Sequence, residues 1–408
     1  PELEVSEVPE GLVQGVTETT IKVGNTAAIS GAYAEVGVPF NAGITAAFAA
    51  FNLAGGVNGR TIEFVTYDDA GSSETGKTLT TKLIEEDEVF ALVGHFGTWT
   101  VGATLPDIID AHIPMVYAAT GINSLYFQET PGNPVMAIQP IYKTDGRISF
   151  ARAINEMVYG EEADEALPEN AKIGVLYTND DAGKSIASGI FQEATTLGYA
   201  KRLVVQEFSD STLATSAQKM VDEEVSAVLI AANQVPFKNM LVALDDVAFA
   251  SPVFASYVNS NISAVTDMEY SFNLFGNAWI DISYPEVPDA PYYGFSPAYW
   301  AFATVMTTGG FPQYAADPYA MAGYIAAQIF IEGLVRVDED ELTWKTFITA
   351  MESEPIEIPM GGTVDFGGGK RWGVAAMSLL QYHPTTGETA PRWAKIRDIQ
   401  TIDEINAN

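Results

Sequence analysis

Residues Val89–Gly121 read VFALVGHFGTWTVGATLPDIIDAHIPMVYAATG, and the fold turns on this stretch. Val89–Val93 is an apolar run of strand length. Gly94–Thr100 is a loop rich in Gly and Thr, with Trp99 inside it. Val101, Leu105, Ile108 and Ile109 recur at helical spacing, so a helix is expected over Val101–His112. Pro114–Ala119 is a second buried strand, ending in Ala119-Thr120-Gly121. Strand, helix and strand in this order make a βαβ unit, whose parallel strands require a right-handed crossover. In open α/β sheets ligands bind outside the carboxyl ends of the strands. Both hydroxyl-bearing loops fall at such ends. The first also opens a helix, where unpaired N–H groups and the helix dipole favour an anion. The stretch is therefore expected to form half of a binding cleft for a small anionic ligand.

The same alternation extends in both directions. Upstream, Ile21–Ile29 is a strand followed by the turn Ser30–Tyr33. Phe40–Leu53 is a helix with Phe40, Ile44, Phe48 and Phe51 on one face, stopped at Gly55-Gly56. Thr61–Tyr67 and Ser73–Glu86 repeat the pattern. Downstream, a helix is expected over Thr144–Tyr159, then a second series of strands at Lys172–Tyr177, Leu203–Phe208, Ala227–Ala232 and Val253–Tyr257. Helices at Gly183–Leu197, Thr212–Glu224 and Pro236–Phe249 separate them. This order predicts two doubly wound α/β lobes. The helices between Pro297 and Met351 are too few for a third domain and are expected to complete the first. Residues 1–20 read as an acidic tether, 21–140 with 275–360 as lobe 1, and 141–274 with 361–408 as lobe 2. The aromatic stretch Trp279–Phe302, with Tyr284, Tyr292 and Tyr293, is expected in core and lobe surface.

Composition narrows the function. The 408 residues carry 53 acidic and 20 basic side chains, a net charge of −33. Nucleic acid and anionic membrane surfaces are excluded as partners, because both need a basic face. With no Cys there is no disulfide and no thiolate metal site. No uninterrupted apolar run approaches the roughly 18 residues of a membrane span. His95, His112 and His383 lack metal-ligand spacing, and no metal or cofactor is expected. There is no G-x-S-x-G elbow, H-E-x-x-H, Walker A or G-x-G-x-x-G signature. The pairs Asp68-Asp69 and Asp180-Asp181 offer acid–base chemistry to a hydrolase. Among 53 acidic residues such pairs arise by chance, and the second also precedes a helix, where a cap explains it.

Several segments together resemble one family: KVGNTAAISGAYAEVG (22–37), NLAGGVNGR (52–60), IEFVTYDDAGS (62–72), LVGHFGT (92–98), HIPMVYAATG (112–121) and IGVLYTNDDAGK (173–184). The chain is similar to the type I periplasmic solute-binding proteins of ABC transporters, in the Leu/Ile/Val-binding branch, from about Thr20 to His383. The resemblance implies two Rossmann-like lobes with parallel central sheets, helices on both faces, and three crossovers acting as a hinge. The crossovers are expected near Pro140, Leu274 and Met360. It implies a non-enzymatic receptor that captures a small carboxylate-bearing solute and delivers it to an ABC permease. The protein would be a monomer, extracytoplasmic, with a removed N-terminal segment as a route to a lipid anchor. A sensory ligand-binding module on the same fold is the alternative.

By the same resemblance, the ligand carboxylate meets the loops holding Thr98, Trp99 and Thr100 and Ala119, Thr120 and Gly121. Lobe 2 contributes Asp181, Gln234 and Tyr257. Tyr33, Trp99, Tyr257 and Tyr319 would make the pocket aromatic, which favours flat or apolar ligand bodies. Tyr257 is a departure, because Leu/Ile/Val binders carry there a Glu that pairs with the ligand ammonium. A Tyr supplies no such charge, and burying an unpaired ammonium is costly. Either another acid such as Asp181 takes the role, or the ligand has no α-amine.

Overall fold

The computed structural model describes residues 6, 8–125, 129–160, 163–281, 295–337 and 342–407. In chain order its elements begin β1 (Thr20–Ala27), α1 (Ala34–Leu53), β2 (Thr61–Asp68), α2 (Ser73–Glu85), β3 (Ala91–Val93), α3 (Thr98–Asp110), β4 (Met115–Val116) and β5 (Val135–Met136). There follow α4 (Tyr142–Asn155), β6 (Ile173–Thr178), α5 (Asp181–Thr196), β7 (Leu203–Phe208), α6 (Leu213–Asp222), β8 (Ala227–Ala231), α7 (Gln234–Asp246), β9 (Val253–Ala255) and β10 (Leu274–Ala278). The last are α8 (Pro297–Thr308), α9 (Pro318–Val335), α10 (Trp344–Ser353), β11 (Ile356–Glu357), β12 (Thr363–Val364), β13 (Ala376–His383), β14 (Arg392–Thr401) and α11 (Ile402–Asn406).

The chain divides into two units, Pro1–Ile141 with Ile282–Val374 and Tyr142–Asp281 with Ala375–Asn408. Unit 1 is built on a sheet ordered β2-β1-β3-β4-β5, all pairs parallel. Unit 2 is built on β14-β13-β10-β9-β8-β6-β7. Its β10-β9-β8-β6-β7 part is parallel, and the hairpin β13–β14 adds an antiparallel edge. β3 is buried at every position, as are β8 and β9, which suits strands covered by helices on both faces.

Small residues set the helix packing in each unit. A Cβ on Gly43 of α1 would lie 2.1 Å from the Ala320 carbonyl oxygen of α9, and one on Gly323 would lie 1.9 Å from that of Phe40. The α4–α5 pair of unit 2 repeats the device: a Cβ on Gly146 would meet Ile186 O at 2.0 Å, and one on Gly189 would meet Lys143 O at 2.1 Å. Backbones this close leave no room for any side chain at the crossing. By length and composition α1 is apolar enough to cross a membrane. Here it is a core helix, with Phe40, Ile44 and Phe48 buried and Phe48 against Phe64 of β2 and Phe330 of α9.

Three boundaries differ from the sequence reading. The chain leaves unit 2 after Asp281, not near Leu274, because β10 is paired on both sides inside that sheet. Its last crossing follows Val374, not Met360. The reason is Arg371, whose buried guanidinium donates to Asn133 O (2.6 Å from Nη2) and to Glu352, fastening this segment to unit 1. Nor do the described residues before Thr20 hang free as a tether. Val8 is buried, Gln14 Nε2 donates to Ile84 O and Val89 O at 3.0 Å each, and Leu12 O accepts from Trp344 N–H. Of the aromatic stretch, Trp279, Tyr299 and Phe302 are buried and Phe295 and Trp300 exposed. Tyr284, Tyr292 and Tyr293 lie outside the described residues.

A net charge of −33 repels itself in any compact state. Raising the salt from 0.1 M to 1 M shortens the screening length from about 10 Å to about 3 Å. Thermal unfolding in NaCl is expected to move upward by at least about 3 °C over that range, on the order of 1 kcal/mol for units of this size. A melting temperature that is flat or falls with salt would show that the surface charge does not limit stability.

Candidate functional site

The two loops singled out in Val89–Gly121 are joined in the fold. Beyond the ends of β3 and β4, Phe96 and Ala119 form a parallel bridge. Ala119 N–H donates to His95 O at 2.8 Å, and Gly97 N–H donates to Ala119 O at 3.3 Å. The side chains continue the seam, with Thr98 Oγ1 and Thr120 Oγ1 2.9 Å apart. Helix α3 starts at Thr98, three residues earlier than its apolar spacing suggests, because Gly97 turns the chain at φ 95° as its N-cap. With glycine at that position no side chain caps the first turn. Thr98, Trp99 and Thr100 therefore present first-turn N–H groups that have no acceptor within the helix.

Behind this rim lies a buried polar layer. Asp69 follows β2 and is fully buried; its Oδ2 accepts from Thr100 Oγ1 at 2.6 Å and Thr26 Oγ1 at 3.3 Å, and its Oδ1 from Gly71 N–H at 2.9 Å. Burial holds its carboxyl above the usual aspartate value, against those hydrogen bonds. His95 is likewise fully buried. Thr80 and Thr104 spend their hydroxyl protons on Gly76 O and Thr100 O, so the imidazole donates from Nε2 to both, at 3.3 and 3.2 Å. Its Nδ1 then faces Thr26 N–H at 3.5 Å. Burial pushes the ring down to about 3, so it is neutral and structural.

Aromatic residues cover the same rim. Trp99 packs on Tyr33, the N-cap of α1, with ring centroids 4.5 Å apart. Both lean over Gly71, where a Cβ would touch the two rings. Trp99 Nε1 is buried and meets no acceptor among the described residues. Tyr319 sits in the first turn of α9, half-buried, its N–H held by Asp317 Oδ1 at 2.7 Å.

Several expected roles change. Thr100 gives its hydroxyl to Asp69, so it supports the rim and its side chain is not an open donor. Ala119 spends both backbone groups on the bridge, and Thr120 N–H donates to Ala118 O. Gly121 is buried behind Thr120. The polar groups of the rim are thus the Thr98–Thr120 hydroxyl pair, the first turn of α3 and the buried indole N–H of Trp99. Asp68 and Asp180, offered above for acid–base chemistry, are engaged in turns. Asp68 Oδ1 accepts from the N–H groups of Ile29, Ser30 and Ala70, and Asp180 Oδ1 caps Gly183 N–H at 2.8 Å.

Unit 2 places Asp181, Gln234 and Tyr257 just beyond the carboxyl ends of β6, β8 and β9. Asp181 is exposed in the first turn of α5. Gln234 opens α7, and its Nε2 donates to Val258 O at 3.1 Å, which ties it to the turn carrying Tyr257. Tyr257 is 9% exposed and its ring lies 6.1 Å from that of Tyr142. Sequence reasoning missed Thr178 and Asn259. Both are buried at this rim, and Thr178 Oγ1 and Asn259 Oδ1 have no partner among the described residues. A lone Thr closing a strand and a lone Asn in a turn carry no local signal.

Replacing Asp69 with Ala strands the Thr100 and Thr26 hydroxyls and the Gly71 N–H. Buried groups left unpaired cost about 1–3 kcal/mol each. Three such groups sum to at least about 3 kcal/mol, so the Asp69→Ala variant is expected to melt at least about 6 °C lower in a thermal scan. A shift under about 1 °C would show that Asp69 does not support the rim.

A sequence profile of the periplasmic binding protein family matches residues 20–388. An amino acid binding protein of Pseudomonas aeruginosa is 27% identical over 174 residues, 41% of this chain and 42% of that protein. Leu/Ile/Val-binding protein homolog 2 of Brucella abortus is 25% identical over 194 residues, 46% of this chain and 47% of the relative. The chain thus matches less than half the length of these curated relatives. A branched-chain amino acid ABC transporter structure from Thermus thermophilus with bound valine superposes with a TM-score of 0.75 at 15% identity, covering 96% of this chain and 100% of that one. The fatty acid ABC transporter substrate-binding protein from Thermomonospora curvata gives 0.73 at 19% identity, covering 99% and 96%. At these identities the superpositions speak for the fold. Together with the profile, which spans most of the sequence, they establish that the chain belongs to the periplasmic binding protein family, with the type I fold.

Proposed function

We propose that this chain is the extracytoplasmic solute-binding receptor of an ABC importer and that it binds a small carboxylate-bearing solute with an apolar or aromatic body. It acts as a monomer and performs no chemistry on its ligand. One observation carries the reading: the Thr98–Thr120 hydroxyl pair stands beside the uncapped first turn of α3, under the Tyr33–Trp99 aromatic pair. Neutral donors at a helix N-terminus suit a carboxylate, and the rings suit the rest of the molecule. Asp181, exposed in the first turn of α5, is the one carboxylate among the expected contacts of unit 2, while Tyr257, with Gln234 bonded to its turn, supplies no charge where Leu/Ile/Val binders keep the partner of the ammonium. That supports an organic acid without an obligatory α-ammonium. The relative from Thermomonospora curvata is named for fatty acids, which are such acids; that from Thermus thermophilus holds valine, which has both groups.

A thermal-shift screen over valine, leucine, phenylacetate, hexanoate and decanoate decides between them. A ligand at about 100 times its Kd stabilises the native state by about 2.7 kcal/mol. That corresponds to a rise of roughly 5–10 °C. Monocarboxylates are expected to respond. A response to valine and leucine alone would refute the ligand without an amine, and silence from every acid would remove the carboxylate reading.

Thr98→Val deletes one hydroxyl of the pair and should weaken the responding acid about tenfold, the worth of one hydrogen bond near 1.4 kcal/mol. Trp99→Phe should abolish the ligand-induced change in tryptophan fluorescence. If both variants titrate as wild type by fluorescence and calorimetry, the carboxylate sits elsewhere.

A further inference from the structure

Asp145 is a fully buried carboxylate in the first turn of α4, on which none of the expected contacts falls. Its Oδ1 accepts from Asn277 Nδ2 of β10 at 2.9 Å and from the backbone N–H of Tyr257 at 3.4 Å. Asn277 is itself buried and also donates to Ser149 Oγ at 2.8 Å. Oδ2 is buried and has no partner among the described residues. Oδ1 therefore grips the turn that presents Tyr257, the Ser256 hydroxyl of that turn stands by the same carboxyl, and Oδ2 is shielded from bulk water. Such a group is stable as a neutral acid and costly as an anion.

The surroundings offer little to offset that cost. β8, β9 and β10, which pack on α4, carry no ionisable side chain. From α5 come Asp181, Lys184 and Glu193, the last held by Arg147 of α4 itself at 2.8 Å. From α11 come Asp403 and Glu404. Tyr142 opens α4 and its ring lies 6.1 Å from that of Tyr257. Arg152, further along α4, is taken by Glu156.

We propose that Asp145 is a positioning residue that makes the Tyr257 turn of unit 2 respond to pH: protonated, it holds the turn packed; ionised, it loosens it. The inference rests on the reading of Tyr257 as part of the ligand-contacting face, but its test needs no ligand. The sign follows from burial, which pushes Asp145 from the ordinary 3.8 up to about 6, opposed by the hydrogen bonds of Asn277, Ser256 and Tyr257. An acid whose value is raised in the packed state favours that state fully below the ordinary value. The advantage is lost as the pH rises through about 6. The two values bound the loss at about 100-fold in the packing equilibrium.

Hydrogen exchange read by mass spectrometry on peptides covering residues 253–261, corrected for intrinsic rates at constant ionic strength, tests this. In the wild-type protein, protection of this segment is expected to fall at least about tenfold between pH 4.5 and pH 7.5, while β6 peptides change less. In Asp145→Asn, which keeps the shape but cannot ionise, the segment should show no such step. A flat wild-type profile would overturn the proposal even if the variant does not fold. So would an Asp145→Asn profile with the wild-type step, since a residue that merely packs would shift protection equally at every pH. A failed ligand screen leaves these outcomes untouched.

Discussion

The parallel bridge between Phe96 and Ala119 is the constraint on which the rest of the unit 1 rim depends. Two loops that leave neighbouring strands would ordinarily diverge. Here three backbone residues, His95, Gly97 and Ala119, exchange hydrogen bonds past the strand ends and keep the loops together. Only then can the hydroxyls of Thr98 and Thr120 meet. The bridge also spends the backbone groups of Ala119, which leaves side chains and the helix terminus as the polar groups of the rim. Gly97 makes both outcomes possible. Its positive φ turns the chain sharply enough to start α3 immediately after the bridge. A Cβ there would fall 2.8 Å from the Trp99 ring, so glycine is needed for space as well as conformation.

Much of this was legible in Val89–Gly121, because strand, helix and strand announce themselves by apolar spacing and because ligands gather at strand ends. What was not legible depends on partners distant in sequence. Thr100 looked like Thr98 in the sequence, and only the fold brings Asp69 under one and Thr120 beside the other. β10 looked like the start of a return to unit 1, and only its pairing with β13, about a hundred residues later, keeps it in unit 2. The Glu residues of the N-terminal segment suggest a tether. Its polar composition concealed Val8 and Gln14, whose contacts lie in α2, at Val89 and in the core. Asp145 gave no signal at all, since a single Asp among Lys, Thr and Gly is indistinguishable from a surface residue until its burial is known.

The two units share a way of using acids. Asp69 and Asp145 both lie behind rims that carry candidate contacts, both are fully buried, and burial raises both. They differ in satisfaction. Asp69 has donors on both oxygens and is a fixed support. Asp145 takes its amide and backbone donors on Oδ1 alone, so its protonation state matters to the packing around it. A chain with 53 acidic residues places most of them in water, where they cost little. Among the described residues Asp69, Asp145, Glu156 and Glu193 are buried; the two glutamates are paired with arginines, and the two aspartates persist where their hydrogen bonds hold something in place.

In the carboxylate reading proposed above, the rim of unit 1 attracts an anion through neutral donors, in a protein with a net charge of −33. At physiological salt, charges beyond about 8 Å are largely screened. The field of the surface therefore slows the approach of an anionic solute more than it weakens the final complex. At contact, the deciding terms are short-range: hydroxyl and indole donors, the first-turn N–H groups of α3 and the apolar cover of Tyr33 and Trp99. Each donor offers on the order of 1 kcal/mol, and the burial of an apolar ligand body offers about 25 cal/mol for each Å² removed from water. A solute with a modest tail therefore draws as much affinity from its apolar part as from its carboxylate. On that proposed reading, discrimination among acids lies in the shape of the aromatic cover, while the hydroxyl pair and helix terminus fix only which end of the ligand enters first.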